Sequence, residues 1–491
     1  AILRNAIDEN GDKIREKNMI KNQNIKDIIK CLEEFLIRKR LICYGGTAIN
    51  NILPKEAQFY DYTKEIPDYD FYSPNALDDA IELANIYHKK GYKEVEAKAG
   101  VHYGTFKVYV EFTPIADITM LPETLFKNLQ SNAKKVAGIL YCPPDFLRMN
   151  MYLELSRPLG DITRWEKVFK RLSLLNQYYP LKLGINCDKE EFQQEQYQYK
   201  DLKIDHFTSQ TPYPQRHGHI SNKTSSKTKS IEALIGLIYQ NVLGACIDEN
   251  VVFFGGYASY LYSQYMPEHE KINIRSILDF DVLSEEPERV CTIIKERLEE
   301  NIKEEGFNPE EIRITKREGI HEIVPDHYQI EYGKITVARV YEPLACHSYN
   351  EIHTNDGTIR VGTIDTLLPF YLAFTYVNHP DYNINRILCM AKYLFDVQQK
   401  NRLYQKGVLK RFSANCIGNQ PSLEDMRVEK SNKFKELANK KGSREYNMWF
   451  LKYIPGESTT NKVVKTQKIK KTKNPKTRKQ RRKKTEDEWF V

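Results

Sequence analysis

The sequence predicts an α/β (α+β) protein made of two tandem units, each a mixed sheet with flanking helices, and three observations carry that expectation. Short apolar runs ending in a glycine pair occur twice, at LICYGGTAIN and VVFFGGYASYLY, with Gly45-Gly46 and Gly255-Gly256 lying 210 residues apart. An Asp-x-Asp phrase also occurs twice, as IPDYDFYS (residues 66–73) and ILDFDVLS (residues 277–284), so Asp68/Asp70 and Asp279/Asp281 lie 211 apart. Each glycine pair is preceded by an apolar stripe at helical spacing, Ile25, Ile28, Ile29, Leu32, Phe35, Leu36 in the first case and Ile231, Leu234, Ile235, Ile238, Val242 in the second. Separate landmarks that keep one offset mark an internal duplication.

Each unit is expected to begin with an amphipathic helix, then a buried strand, a glycine turn and a new helix. The segment LDDAIELANIY (Leu77 to Tyr87) reads as a helix that packs one apolar face. EVEAKAGVHYGTFKVYVEFTPIADITML reads as successive strands. CPPDFLRMNMYLELSRP and VGTIDTLLPFYLAFTYV then resemble each other as helix starts, Asp145 and Asp365 being 220 apart, which places an insertion of about ten residues between them. The expected organisation is a helical segment over 1–40, a first unit with trailing helices over 41–185, a linker over 186–230, a second unit over 231–400 and a C-terminal extension over 401–491. The linker stretch TPYPQRHGHISNKTSSKTKS has turn-forming composition. Its neighbourhood holds His206, His217 and His219, without a cysteine or carboxylate at ligand spacing, so they read as loop residues rather than a zinc site.

At 491 residues the chain exceeds what one core usually serves. No apolar run is long enough to cross a bilayer, the opening residues lack a basic-then-apolar leader, and nine cysteines stand singly without a CxxC pair, so reduced thiols in a cytosol-like setting are expected. The formal charge of +8 is misleading, because residues 462–484 hold 13 Lys and Arg and no acid. Without them 61 basic residues face 66 acidic ones, leaving a slightly acidic body and a basic arm suited to solubility, nuclear targeting or polyanion contact.

On a strand, Asp68 and Asp70 would project to one face while Tyr69 and Phe71 enter the other. A later strand carries a third acid, Asp117. Three carboxylates on adjacent strands suit two divalent cations that orient a triphosphate and activate a hydroxyl. Gly45 and Gly46 let the backbone approach phosphate oxygens at a helix start, and Thr47 adds a hydroxyl. Each feature alone has a plain structural explanation, and together they specify a nucleotide site.

This pattern resembles the nucleotidyltransferase superfamily of polymerase β type. Within it, YGGTAINNILP, IPDYDFYSPNALDDAIELAN and IADITMLP resemble the poly(A) polymerase catalytic subunits of large nucleocytoplasmic DNA viruses, in the giant-virus branch related to the poxvirus enzyme. The resemblance covers residues 25 to 400. It implies two tandem nucleotidyltransferase-like domains and template-independent addition of AMP from ATP to RNA 3′ ends with release of pyrophosphate. Asp68, Asp70 and Asp117 would be the catalytic, metal-binding residues for Mg²⁺ or Mn²⁺, and Gly45, Gly46 and Thr47 the nucleotide-binding ones. Alternatives sharing the same carboxylates are uridylylation, CCA addition and oligoadenylate synthesis; a rival of another class is an RNA-binding pseudoenzyme. The implied setting is host cytoplasm or virion, without a membrane. Product retention is open between a homodimer, the basic tail and an accessory subunit like that of poxviruses. Arg148 and Tyr152 are further candidates for triphosphate contact, a surface Arg and a packed Tyr being the equally good plain reading.

Aligning YVEFTPIADITML with EYGKITVARVYEP sets Arg339 at the position of Asp117, and Tyr257 stands at that of Thr47. The expectation is that Arg339 forms a fixed ion pair with Asp279 and Asp281, leaving the second unit without catalysis, unless Glu331 or Glu342 serves as its third acid.

Overall fold

The computed structural model describes residues 23–62, 67–181, 184, 187, 226–271, 279–319, 324–333, 335–354, 357–377 and 383–456. The three histidines near the linker, nearly all of that linker, and the basic run 462–484 lie outside them. No helix among the described residues is long and apolar enough to cross a membrane.

Helix α1 (Gln23–Lys39) buries Ile28, Leu32, Phe35 and Leu36 and leads into β1 (Ile42–Tyr44). The chain then turns at Gly45 into α2 (Gly45–Ile52) and returns as β2 (Tyr69–Ser73). Helix α3 (Ala76–Lys89) turns Leu77, Ala80, Leu83, Ala84 and Tyr87 inward, the single apolar face that its sequence spacing requires. Strands β3 (Val95–Ala99), β4 (Thr105–Val110) and β5 (Thr113–Met120) follow, and β4 alternates strictly: Phe106, Val108 and Val110 are buried against α3, while Thr105, Lys107 and Tyr109 face the open side. After α4 (Glu123–Asn132) come β6 (Lys134–Val136), β7 (Ile139–Tyr141), α5 (Pro144–Leu155) and α6 (Trp165–Tyr178).

The second unit repeats this path. It contains α7 (Ser226–Asp248), β8 (Val252–Phe254), α8 (Gly255–Ser263), β9 (Phe280–Leu283), α9 (Pro287–Glu304), β10 (Ile312–Arg317), β11 (His327–Tyr332), β12 (Ile335–Tyr341), β13 (His347–Thr354) and β14 (Gly357–Gly362). Helices α10 (Ile364–Phe374) and α11 (Ile384–Lys400) follow, then β15 (Cys416–Ile417), α12 (Leu423–Glu436), α13 (Arg444–Phe450) and β16 (Lys452–Tyr453). One sheet has the order β16-β3-β4-β5-β2-β1-β7-β6 and the other β10-β11-β12-β9-β8-β14-β13-β15. Without β16 and β15 the two orders superimpose strand for strand. Even the parallel pairs correspond, β2 with β5 and β1 with β7 in one sheet, β9 with β12 and β8 with β14 in the other.

The units meet through α5 and α10, whose second residues are Asp145 and Asp365. Burial here favours the packed reading of Tyr152 over substrate contact and places Arg148 inside rather than at the surface. Arg148 is fully buried, paired with Asp145 and hydrogen-bonded through Nε to Asn176 at 2.7 Å, and Tyr152 is equally buried and donates to Gln398 at 3.3 Å. Charge buried at such an interface has to be neutralised locally. On the other side Asp365 receives Nε and Nη2 of Arg411 at 2.8 and 2.7 Å.

The expectation of scattered, reduced thiols is also corrected. Cys187 bonds to Cys389, and Cys346 bonds to Cys416. Sequence separations of 202 and 70 residues hide both pairs. The second follows from β15 adding to the edge of β13, where Ser348 stands opposite Cys416. Cys31, Cys43, Cys142, Cys246 and Cys291 are free and buried.

Replacing Asp365 with Ala leaves Arg411 in place without its bidentate partner, and the expected loss is about 3–5 kcal/mol, read as a lower denaturation midpoint. His347, buried against Phe370, has neither ring nitrogen hydrogen-bonded among the described residues, and burial holds its pKa down to about 3. The fold therefore keeps the neutral ring, and its stability contribution is whole above the unfolded-state pKa near 6.5 and lost as pH falls toward 3. Between pH 7 and 5 the wild type should lose about 2 kcal/mol more than a His347→Gln variant, measured by chemical denaturation at both pH values.

Candidate active site

The site forms at the mouth of the first sheet, where β1, β2 and β5 run side by side. Parallel pairing of β2 and β5 sets Asp70 directly opposite Asp117, while antiparallel pairing of β1 and β2 sets Tyr44 opposite Asp70. Directly opposed residues share a face. Tyr69 and Phe71 are buried on the other face, as alternation requires. Asp68 stands one residue before β2, at the solvent-exposed mouth, and its backbone oxygen accepts the Thr47 hydroxyl at 2.5 Å. Thr47 is thereby buried and ties the α2 turn to the start of β2.

Gly45 has φ +73°, and a Cβ there would stand 2.5 Å from the Asp70 carboxylate, so both its conformation and its missing side chain are required. Gly46 is constrained by space rather than by conformation: a Cβ would meet the Tyr60 hydroxyl and come within 2.9 Å of Arg171 Nη1, the movable ends of two side chains. Arg171 on α6 donates to Tyr60 at 2.7 Å and lies over the Phe59 ring at 4.8 Å. The glycine turn is thus roofed by a cation.

Asp70 is pushed up to about 7, first by burial, then by Asp68 and Asp117; Lys107 and Arg164 oppose the shift. Asp68 is raised by desolvation and then by Asp117, with Lys107 and Lys167 working against it. Lys107 forms an ion pair with Asp117; burial lowers its pKa, the carboxylate outweighs that effect, and the net shift is upward. Among the described residues no three His, Cys, Asp or Glu side chains converge as a ready cation cage. The chemistry of the donors still suits hard divalent cations, because crowded carboxylate oxygens that repel one another gain most from added positive charge.

The structure brings Asp68, Asp70, Asp117, Gly45, Gly46 and Thr47 into one site. Sequence reasoning missed Lys107, Tyr60, Arg171 and the charges Arg164 and Lys167. The spacing of Lys167 and Arg171 on α6, with Arg164 just before its start, was a visible signal, but only the packing of that segment brings these charges near the carboxylates.

The second unit reproduces the frame. Gly255 has φ +65° and the Asp281 carboxylate fills its Cβ space. Arg339, opposite Asp281 in the β9–β12 register as Asp117 is opposite Asp70, holds Asp279 at 2.5 Å and Asp281 at 3.4 Å. Tyr257, at the position of Thr47, is fully buried. The expected ion pair is present.

Residues 30–161 match the family of the poly(A) polymerase catalytic subunit. The resemblance read from the motifs therefore holds over the glycine turn and all three carboxylates. A putative poly(A) polymerase catalytic subunit of African swine fever virus (strain Badajoz 1971 Vero-adapted) is 32% identical over 173 residues, 34% of this chain and 35% of that protein. The putative counterpart from Acanthamoeba polyphaga mimivirus is 32% identical over 186 residues, 37% of this chain and 30% of that protein. The chain thus spans about a third of the length of the curated relatives it matches. In fold it resembles the crystal structure of the Megavirus polyadenylate synthase, with TM-score 0.66 and 21% identity over 88% of this chain and 82% of that one.

Arg339→Ala would leave Asp279 and Asp281 adjacent without the guanidinium that pairs with both, with Arg386 still acting on Asp281. The expected result is a loss of about 3 kcal/mol or more, read as a lower melting temperature at pH 8 and partly recovered at pH 5, where burial favours protonation of Asp281, whose pKa is pushed up to about 6.

Proposed function

We propose that this chain is a template-independent poly(A) polymerase that transfers AMP from ATP to RNA 3′ ends and releases pyrophosphate. The observation that carries the reading is the register of Asp70 against Asp117 beside a glycine turn that only glycine can make, within the stretch that matches the family. The primer 3′ hydroxyl gives up its proton to solvent as its oxygen attacks the α-phosphate, the new oxygen–phosphorus bond forms, and the bond to the β-phosphate oxygen breaks, so pyrophosphate leaves with the electron pair.

Asp68, Asp70 and Asp117 would hold two divalent cations, Mg²⁺ or Mn²⁺, whose chemistry when bound is to neutralise phosphate charge and stabilise the attacking and leaving oxygens. Gly45 and Gly46 present the start of α2 to the triphosphate, and Thr47 locks that turn against β2. Arg171 and Lys167 on α6, with Arg164 just before it and paired to Glu154 at 2.8 Å, supply positive charge for the phosphates. Lys107 holds Asp117 until substrate arrives. The second unit, neutralised by Arg339, acts as a non-catalytic scaffold. The relatives are viral, which supports an infected-cell setting in cytoplasm or virion. The proposed partners are RNA and ATP, with a homodimer, an accessory subunit or the basic run 462–484 retaining product.

Primer extension on a labelled oligo(A)-ended RNA, with each of ATP, CTP, GTP and UTP offered separately in Mg²⁺ or Mn²⁺, tests the reading. A ladder with ATP alone is expected, falling at least about 10³-fold in Asp70→Asn and in Asp117→Ala, while Asp281→Asn keeps activity near wild type. Preference for another nucleotide would move the function to a sister transferase. Absence of extension with all four would favour an RNA-binding pseudoenzyme.

A further inference from the structure

The first sheet does not end at the carboxylates. From Asp117 the same register row continues outward: Lys107 stands opposite Asp117, Lys98 opposite Lys107, and Lys452 opposite Lys98. Directly opposed residues share a face, so three lysines on three successive strands lead from the carboxylates to the sheet edge. That face is the open one. Its opposite face carries Ala97, Phe106, Val108 and Ala116, all buried, with α3 packed behind β3 and β4. Lys98 lies 4.0 Å above the Tyr109 ring centroid, so an aromatic face lies within the row. One acid intervenes, Glu96, at 3.7 Å from Lys98 and with both side chains partly exposed.

The last lysine is delivered by the C-terminal extension. After β15 on the second sheet the chain returns through α12 and α13 and adds β16 to the edge of β3, anchored by Tyr453 on Asn85 at 2.8 Å and by Lys430 on the Gly100 carbonyl at 2.6 Å. The internal duplication supplies a control. In the second sheet the equivalent row reads Asp281, Arg339, Gln329, Thr315, and among the described residues no strand lies beyond β10. The basic row is therefore present only in the unit that keeps three carboxylates, which ties it to the site rather than to the fold.

We infer that the open face of β4, β3 and β16 is the track for the 3′-terminal stretch of single-stranded RNA, with Lys107, Lys98 and Lys452 facing its phosphates and Tyr109 offering a ring to a base. The inference rests on the poly(A) polymerase reading and names where its primer lies. Strand spacing sets the row at about 14 Å from Asp117 to Lys452, long enough for a few nucleotides. Cations at regular intervals with an interleaved aromatic are the elements of sequence-independent single-strand binding, which suits a primer whose sequence does not matter.

The test uses the full chain, with the charge-reversed Lys98→Glu/Lys452→Glu variant beside the conservative Lys98→Arg/Lys452→Arg variant. Equilibrium binding of a fluorescent oligo(A) is followed as salt is varied, with the KM for ATP measured in parallel. The expected result is an RNA Kd at least about tenfold weaker and a log–log salt slope shallower by about one to two in the reversed variant, with the arginine variant near wild type and the ATP KM unchanged in both. An oligo(A) carrying one photoreactive base near its 3′ end should crosslink to peptides containing Tyr109 or Lys452. Unchanged affinity and slope in the reversed variant, or crosslinks confined to other peptides, would overturn the track. The catalytic reading fails separately, if wild type binds this RNA but extends it with no nucleotide.

Discussion

Mutual repulsion among carboxylates is the constraint around which the first unit is arranged. Parallel pairing of β2 with β5 forces Asp70 to face Asp117, and Asp68 sits one step away at the mouth. Such an arrangement is unfavourable until positive charge is supplied. The surrounding structure supplies part of it through Lys107 on Asp117 and through Arg164 and Lys167, which lower what burial and repulsion raise. Gly45 is bound to the same constraint, since the Asp70 carboxylate occupies the space a side chain would take. Turn, strand register and charge balance are thus one device.

The second unit meets the same constraint in a different way. Its glycine turn and its two leading carboxylates persist, but the opposing strand brings Arg339 in place of a third acid. A guanidinium held between two carboxylates satisfies them permanently and leaves no place for an exchangeable cation. The frame is thus compatible with two charge arrangements: identical strand order carries three mutually repelling carboxylates in one unit and a closed ion pair in the other.

Burial at and beside the joint between the units decides between the two readings of Arg148 and Tyr152. Arg148 and Tyr152 lie on the helix after the carboxylate-bearing strands, a position that suggests substrate contact as readily as packing. In three dimensions that helix packs on α10; Tyr152 reaches across to Gln398, while Arg148 is held inside the first unit by Asp145 and Asn176. The cations that do reach the site come from the next helix and from β4.

By itself the sequence determined the duplicated α/β frame, the glycine turn, the three acids of the first unit and the loss of the third in the second. These are local patterns: period-two strands, period-3.6 helices and short phrases that keep their spacing, and they survive in one dimension because the backbone imposes them residue by residue. Only the tertiary structure decided which residues stand across from one another. The ion pair of Lys107 with Asp117, the roof of Arg171 over Gly46, the lysine row ending at Lys452 and the pairing of Cys346 with Cys416 all depend on strand register and helix packing between distant segments. No sequence period encodes which strands become neighbours; the burial of the two shared sheets settles it.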